Sequence, residues 1–398
     1  MTSLPLQSLL ARSEVLKNDW IAFRRDLHQY PELSHRESRT AEKVASFLRG
    51  LGLQPQTGVG GHGVVAELQG AEPGPVIALR ADMDALPIAE ETGLPYASRE
   101  PGVMHACGHD AHTAILLGAA QLLAERRQEL SGAIRFIFQG AEETNAGAKA
   151  MVQAGVLNGI EEIYGLHNLP TLPVGMIATG SGPFMGSVDR VEIMLEGQGG
   201  HGAIPDRCHD PIVAASAVVM GLQTAVSREI SPFEPAVITI GSFQAGEANN
   251  VIPQYAKLTG TVRTFSSSLQ RTMKERIERL AGQIGGAYRC RVQVAYIPHV
   301  AVLVNDPRCV YHIEQTADVL IGKERRTAAS PTLAGEDFSV YLEHRPGCFF
   351  WLGSGPREGA EQAYGLHHPK FAIEENCIPL GAALLASAAW QRGSNIST

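Results

Sequence analysis

Within nine residues, Met104-His105-Ala106-Cys107-Gly108-His109-Asp110-Ala111-His112, the chain places three histidines, a cysteine and an aspartate, and Glu142-Glu143, His167 and His367-His368 follow downstream. Imidazole, thiolate and carboxylate are the side chains that hold zinc or a similar divalent ion, and a neighbouring carboxylate that is not a ligand can serve as general base. The set is that of a metal hydrolase. Cys107 and His109 fall in a glycine-containing loop just ahead of a helical pattern, where a loop can aim both side chains at one ion in a way a helix face at that spacing could not. His105 and His112 are read equally as supports of the ligands or as structural residues. Two acids side by side at Glu142-Glu143 repel, and a cation beside them resolves the repulsion, so that one can ligate while the other transfers protons. Taken singly, each feature has a plainer explanation: a buried thiol beside surface histidines, a solvated acid pair capping a helix near Ala146, a satisfied histidine at a strand end. The density of ligand types in one short segment argues against all of these together.

The elements that must position these residues follow from length and periodicity. At 398 residues the chain exceeds the size at which one core stops growing, so two domains are expected. A formal net charge of −8, with both signs mixed along the chain, leaves no basic stripe for nucleic acid or an anionic membrane and favours a small-molecule partner. Cys107, Cys208, Cys290, Cys309, Cys348 and Cys377 lack the regular spacing of a disulfide framework, which suits a reducing cytoplasm. Met1 to Trp20 reads as an amphipathic helix rather than a signal peptide, and the apolar stretch Pro211 to Val226 is interrupted by Ser216, Gln223 and Thr224, so a soluble protein is expected. From Gly63 to about Gly180, β-rich runs (Val64 to Leu68, Val76 to Leu79, Ala133 to Phe138) alternate with helical ones (Ala111 to Arg127), which predicts an α/β domain with a largely parallel sheet. Asp82-Met83-Asp84, Glu142-Glu143 and His167 would each follow directly on a strand, at the edge where such sheets bind ligands. From Ser187 to about Val300 the order becomes strand, helix, strand, strand, helix, strand, the βαββαβ of a ferredoxin-like unit. The expected fold is therefore α/β with two domains: residues 1–186 and 301–398 form a metallopeptidase-like catalytic domain, and residues 187–300 an inserted one. A final helix is expected from about Glu374 to Trp390, followed by a frayed tail, Arg392 to Thr398.

Seven strings carry a resemblance that runs from about Arg24 to the final helix: Arg24-Arg25-Asp26-Leu27-His28, Leu79 to Pro87, His105 to His112, Phe138 to Glu143, Gly199 to Ala203, Asn250-Val251-Ile252-Pro253 and Gly335-Glu336-Asp337-Phe338. In order and spacing the chain resembles the amidohydrolase family of hippurate hydrolases, which also holds N-acyl-amino-acid amidohydrolases, related carboxypeptidases and plant auxin-conjugate hydrolases. The resemblance implies two divalent metal ions per subunit held by Cys107, His109, Glu143, His167 and His367, with Glu142 as general acid/base and Asp84 supporting a ligand. It implies that His201 contacts the developing oxyanion, that Asn250 and Arg263 bind the polar end of the substrate, and that the inserted domain is a lid and dimerisation domain of a homodimer, or of a tetramer built from dimers. Thiolate favours zinc, with manganese, cobalt or nickel as alternatives. Departures from the family pattern are Gly140, where proline commonly precedes Ala-Glu-Glu, Gly186, where alanine is common, and Asp206 and Arg190, near the lid's working surface by sequence; Asp82 replaces a histidine of the wider family, as is usual in its cysteine-containing branch. The expected reaction is hydrolysis of the amide of an N-acyl amino acid. Its rivals are N-acetyl-diaminopimelate deacetylation, dipeptidase or carboxypeptidase activity, a non-catalytic metal-binding dimer that senses acyl amino acids, and a structural zinc protein; the intact Glu142 and the surplus of ligands speak against the last two.

Overall fold

The run Ala133 to Phe138 is apolar at nearly every position and so needs cover on both faces. In a computed structural model, which describes residues 3–393, this run lies inside an eight-stranded sheet as the strand Ser131–Gln139, with Ile134, Phe136, Ile137 and Phe138 fully buried. From edge to edge the sheet runs Gln56–Val59, Gly63–Gln69, Ser131–Gln139, Glu72–Asp82, Ile160–Pro173, Gly347–Gly355, Ile177–Thr179, Arg326–Ala328. The four central strands are parallel, but Gly63–Gln69 meets Ser131–Gln139 antiparallel and Gly347–Gly355 meets Ile177–Thr179 antiparallel. Arg326–Ala328 meets Ile177–Thr179 parallel again, so the sheet is parallel through its centre, as expected, with antiparallel pairings set into it on either side. Short connections such as the one between Gln56–Val59 and Gly63–Gln69 reverse the chain at once, which only antiparallel neighbours allow.

The chain divides into two compact units, the first made of residues up to Gly182, Val304–Ser330 and the chain from Asp337 on, the second of Pro183–Leu303 and Pro331–Glu336. In the first unit the helix His109–Ala124 is buried around almost its whole circumference, as its composition demands, and packs against the helices Ser3–Gln29 and Cys377–Gly393. Close approach is possible because a Cβ on Gly118 would meet Trp20 and Ala382, and one on Gly381 would meet Ile115. The first helix extends well past Trp20, to Gln29, and the last begins at Cys377 rather than Glu374. Of the tail expected to fray, Arg392 belongs to that helix and is ion-paired with Glu162, while residues 394–398 lie outside the described residues.

The second unit is a four-stranded antiparallel sheet, ordered Ala236–Ala245, Tyr255–Thr264, Val188–Glu196, Arg291–Val300, with the helices Pro211–Glu229 and Ser267–Ala287 packed on it. Alternation along Val188–Glu196 puts Val191, Ile193 and Leu195 into the core. Asp210 caps the first helix by accepting from the Ile212 N–H at 2.8 Å, and Ser266 caps the second by accepting from the Leu269 N–H at 3.2 Å. Among the described residues one helix, Pro211–Glu229, is long and apolar enough to cross a membrane; its inner face, including Ala214, Val218, Leu222 and Ala225, lies in the core of this unit.

Candidate active site

Three neighbouring parallel strands deliver the chemistry. Glu72–Asp82 leads to Asp84, Ser131–Gln139 leads to the turn holding Glu142 and Glu143, and Ile160–Pro173 carries His167. His167 lies within its strand, opposite Trp351, rather than just past its end, because pairing with Gly347–Gly355 continues beyond it to Leu169. Gly108 opens the helix His109–Ala124 in the left-handed region at φ +88, so that Cys107 and His109 on either side of it turn towards His167. Cys107 Sγ is 3.3 Å from His167 Nε2; Glu143 Oε1 is 3.8 Å from His109 Nε2 and 3.5 Å from His367 Nε2. The donor atoms of Cys107, His109 and His167, of Cys107, Glu143 and His367, and of His109, Glu142 and Glu143 form overlapping groups, each within 4.8 Å. The acid pair does not cap the following helix Gly147–Gln153, whose N-cap Ala146 has no side-chain hydrogen bond.

This donor set suits a cation. His109 Nε2 and Glu143 Oε1 are both buried without a hydrogen-bond partner, a condition that costs about 1–3 kcal/mol per orphaned group unless something else satisfies it. Burial and the Glu143 charge push the Cys107 thiol well up, and a divalent ion is what draws a thiolate out of such a place. A sequence profile of peptidase family M20/M25/M40 matches residues 78–391. The chain belongs to that family. It is 44% identical over 373 residues to the N-acetylcysteine deacetylase of Bacillus subtilis, covering 93% of this chain and 95% of that protein. It is 39% identical to thermostable carboxypeptidase 1 of Saccharolobus solfataricus, covering 94% and 98%. Among solved structures, the YXEP protein of Bacillus subtilis, described as a dinuclear metal-binding peptidase of the M20 family, superposes with a TM-score of 0.84 at 39% identity over 96% of this chain and all of that one. This M20/M25/M40 protein is accordingly a hydrolase.

The candidate ligands are held from behind. Asp84 accepts from His109 Nδ1 at 3.3 Å, from the Glu143 N–H at 3.0 Å and from Ser34 Oγ at 2.7 Å. With Nδ1 engaged, His109 presents Nε2, the arrangement by which a carboxylate orients a ligating imidazole. Burial opposes the Asp84 charge, but the hydrogen bond from His109 holds its carboxyl below the usual range. His112, by contrast, has no nitrogen left for an ion. A carboxylate only accepts, so the Nδ1–H of His112 donates to Asp82 Oδ1 at 2.6 Å, while Nε2 accepts from the backbone and side-chain amides of Asn168, both at 2.9 Å. His112 is structural. Asn168 also donates to Cys107 O at 2.6 Å and accepts from Ser354 Oγ at 3.2 Å, tying the Cys107 loop to the strand of His167. Asp110 turns the other way, 2.7 Å from His28 Nδ1 and 2.6 Å from Arg24 Nε; burial opposes its charge, but Arg24 and His28 hold its carboxyl far below the usual range. His105 is buried, and burial brings its pKa down to about 4. Behind the Glu142 turn, Arg80 donates to Asp82 and to Asp337, and the Asp337 N–H reaches Glu142 Oε1 at 3.4 Å.

In the second unit His201 sits on the short strand Gly200–His201, opposite Val251, and Asn250 O accepts from the Gly202 N–H at 2.9 Å, so these two residues are neighbours. Arg263 lies on another strand, opposite Val237, and donates to Leu333 O at 2.7 Å. Residue-by-residue reading missed Asn168, which has no signal beyond its place next to His167, and Arg80, which looked like an ordinary strand residue.

Proposed function

We propose that the protein hydrolyses the amide bond of N-acyl amino acids, giving a carboxylic acid and a free amino acid. One observation carries the proposal: two unsatisfied ligand atoms, His109 Nε2 and Glu143 Oε1, stand 3.8 Å apart in a group that also includes Glu142. Cys107, His109, Glu143, His167 and His367 would hold two divalent ions, with zinc favoured by the thiolate and manganese, cobalt or nickel compatible with the mixed donors. Bound there, the ions would lower the pKa of water and polarise the scissile carbonyl. Glu142 removes the proton from the attacking water and then delivers it to the departing nitrogen, acting first as base and then as acid. His201 donates to the oxygen on which charge gathers. Its Nδ1 accepts from the Ala203 N–H at 3.0 Å, so the neutral ring carries its proton on Nε2 and has a donor to offer. Arg263 and Asn250 grip the substrate's polar end, and a guanidinium fork is suited to a free carboxylate.

The relative named carboxypeptidase supports a second substrate class, a short peptide, and the relative named deacetylase supports an N-acetyl substrate; N-acetyl-diaminopimelate falls within the same chemistry. Protein reconstituted with zinc, manganese or cobalt, assayed against N-acetyl, N-benzoyl and longer-acyl amino acids and against dipeptides, separates these. Turnover confined to dipeptides overturns the acyl-amino-acid assignment. The second unit, read as a ferredoxin-like lid, would pair with a second copy of the chain through its exposed apolar residues, among them Val213, Met220, Val237 and Phe243. Six unpaired, buried cysteines support a reducing, cytoplasmic setting.

A further inference from the structure

Adjacent residues of a chain ordinarily diverge, yet Glu142 and Glu143 must serve one centre in two capacities, so the backbone between Gly140 and Gly147 has to be held in one shape. It departs from ordinary geometry twice: Ala141 has φ +55 and Asn145 φ +56, both in the left-handed region that residues with a Cβ rarely adopt. The turn closes on itself through Ala141 O, which accepts from Thr144 Oγ1 and from the N–H groups of Ala146 and Gly147, and through Glu142 O, which accepts from the Asn145 N–H at 2.6 Å. Two buried carboxylates outside the turn take alternate amides of it. Asp84 accepts from the Glu143 N–H at 3.0 Å, and Glu37 Oε1 accepts from the Ala141 N–H at 2.7 Å.

Glu37 is not explained by the metal centre. It precedes the helix Ser38–Gly50, is fully buried, and its second oxygen, Oε2, has no hydrogen-bond partner. A desolvated carboxylate with an orphaned oxygen is costly, and an apolar residue there would pack without that cost. Gly140 gives Glu37 its room: a Cβ at residue 140 would sit 2.9 Å from Glu37 Oε1. Each neighbour therefore accommodates the bond from Glu37 to Ala141.

We infer that Glu37 is a positioning residue for Glu142: by holding the Ala141 amide it fixes the left-handed residue immediately before Glu142, and with it the direction in which the Glu142 side chain leaves the turn, while Asp84 holds the amide of Glu143 on the ligand side. The inference rests on Glu142 being the acid/base. Glu37→Ala should lower kcat by ~10–100-fold, the scale of a small misplacement of a reacting group. KM should stay within about twofold, and Co2+ affinity, read from the cobalt absorption bands during titration against a chelator, within about threefold, because Glu143 keeps its own anchor. Glu37→Gln, which keeps an acceptor oxygen, should restore at least half of kcat. Glu37→Asp, which keeps the charge but withdraws the oxygen by one methylene, should not, and it serves if the alanine variant fails to fold. In a Glu142→Gln background, Glu37→Ala should cause no further loss. Equal loss in both backgrounds, a glutamine variant as impaired as the alanine one, or a Co2+ affinity that falls as far as kcat would each overturn the role of Glu37. Near-normal turnover by Glu142→Gln alone would instead overturn the acid/base reading, and the role of Glu37 with it.

Discussion

The two halves of the proposed machinery are built differently. On the ligand side, His109, His167 and Cys107 are buried, and His109 is oriented by Asp84, which itself has further partners; of the proposed ligands His367 alone is exposed. On the recognition side, His201 and Asn250 are exposed, and Arg263 is half-buried with a single hydrogen bond to Leu333 O. Behind the ligands the supporting groups are bonded within the protein, which leaves His109 Nε2 and Glu143 Oε1 open for an ion, so the ligand side is organised before anything binds. The exposed residues have water as their partner until a substrate or another surface replaces it. The ligand side should therefore respond to substitution as a rigid assembly, and the recognition side one contact at a time.

The sharpest contrast is expected at Glu142. Glu142→Gln should retain its metal content by elemental analysis yet lose turnover by ~10²–10⁴-fold or more, since one group acts twice in the cycle. Next in size is a residue that touches no substrate. Asn168→Ala removes the tie between the Cys107 loop and the His112–Asp82 pair and should weaken metal binding by ~10–100-fold in a chelator competition. Unchanged affinity would mean the ligand side does not act as one assembly. On the recognition side, Arg263→Ala should raise KM by ~10–100-fold for substrates with a free α-carboxylate, from a charge-assisted hydrogen bond of roughly 1.5–3 kcal/mol, and much less for amide-capped analogues. An equal rise for both would reassign Arg263 to structure. His201 is expected to act across a homodimer. His201→Ala and Glu142→Ala proteins, each nearly inactive, should recover towards about a quarter of wild-type activity when their subunits exchange at equal ratio. Mass spectrometry of tagged chains verifies the exchange, and no recovery places His201 outside a shared site.

The smallest effect concerns stability in the second unit, where Tyr296 donates its hydroxyl to the buried Asp189. Burial and the Asp189 carboxylate push the Tyr296 pKa far above the ordinary value of about 10. A group whose pKa is raised by folding contributes stability below its unfolded pKa and loses it as pH rises beyond that point. The melting temperature of the wild-type protein should therefore fall more steeply between pH 9 and 11 than that of Tyr296→Phe. Parallel slopes would remove Tyr296 from the account.

Much of this was legible from residue type and spacing. The cluster from Met104 to His112 with Glu142, Glu143, His167 and His367 could be picked out because ligand chemistry is restricted to few side chains, and Cys107, His109, Glu142, Glu143, His167 and His367 converge in space while Asp110 turns away. The periodicities around Ser131–Gln139 and Val188–Glu196 located both sheets. What escaped has physical reasons. The antiparallel pairings of Gly63–Gln69 with Ser131–Gln139 and of Gly347–Gly355 with Ile177–Thr179 depend on which strand ends meet, which no local pattern records. His167 was expected beyond its strand because a histidine interrupts an apolar run, yet backbone pairing with Gly347–Gly355 does not depend on that side chain. Supporting residues such as Asn168 and Glu37 act through backbone amides far away in the chain, and an asparagine or glutamate bonded to a main-chain group looks like any other. Distinguishing His112 from His109 needed the partners of both ring nitrogens.

Gly108 has one more implication, and it concerns heredity. Its left-handed conformation disfavours a side chain, and a Cβ there would lie 2.2 Å from Asn168 Nδ2, inside the tie that joins the Cys107 loop to the strand of His167. Every amino-acid replacement adds at least that carbon, so this position offers natural variation no gradual route. A lineage can alter Gly108 only by remodelling Asn168 and His112 along with it, and the three positions are therefore expected to be inherited as a block.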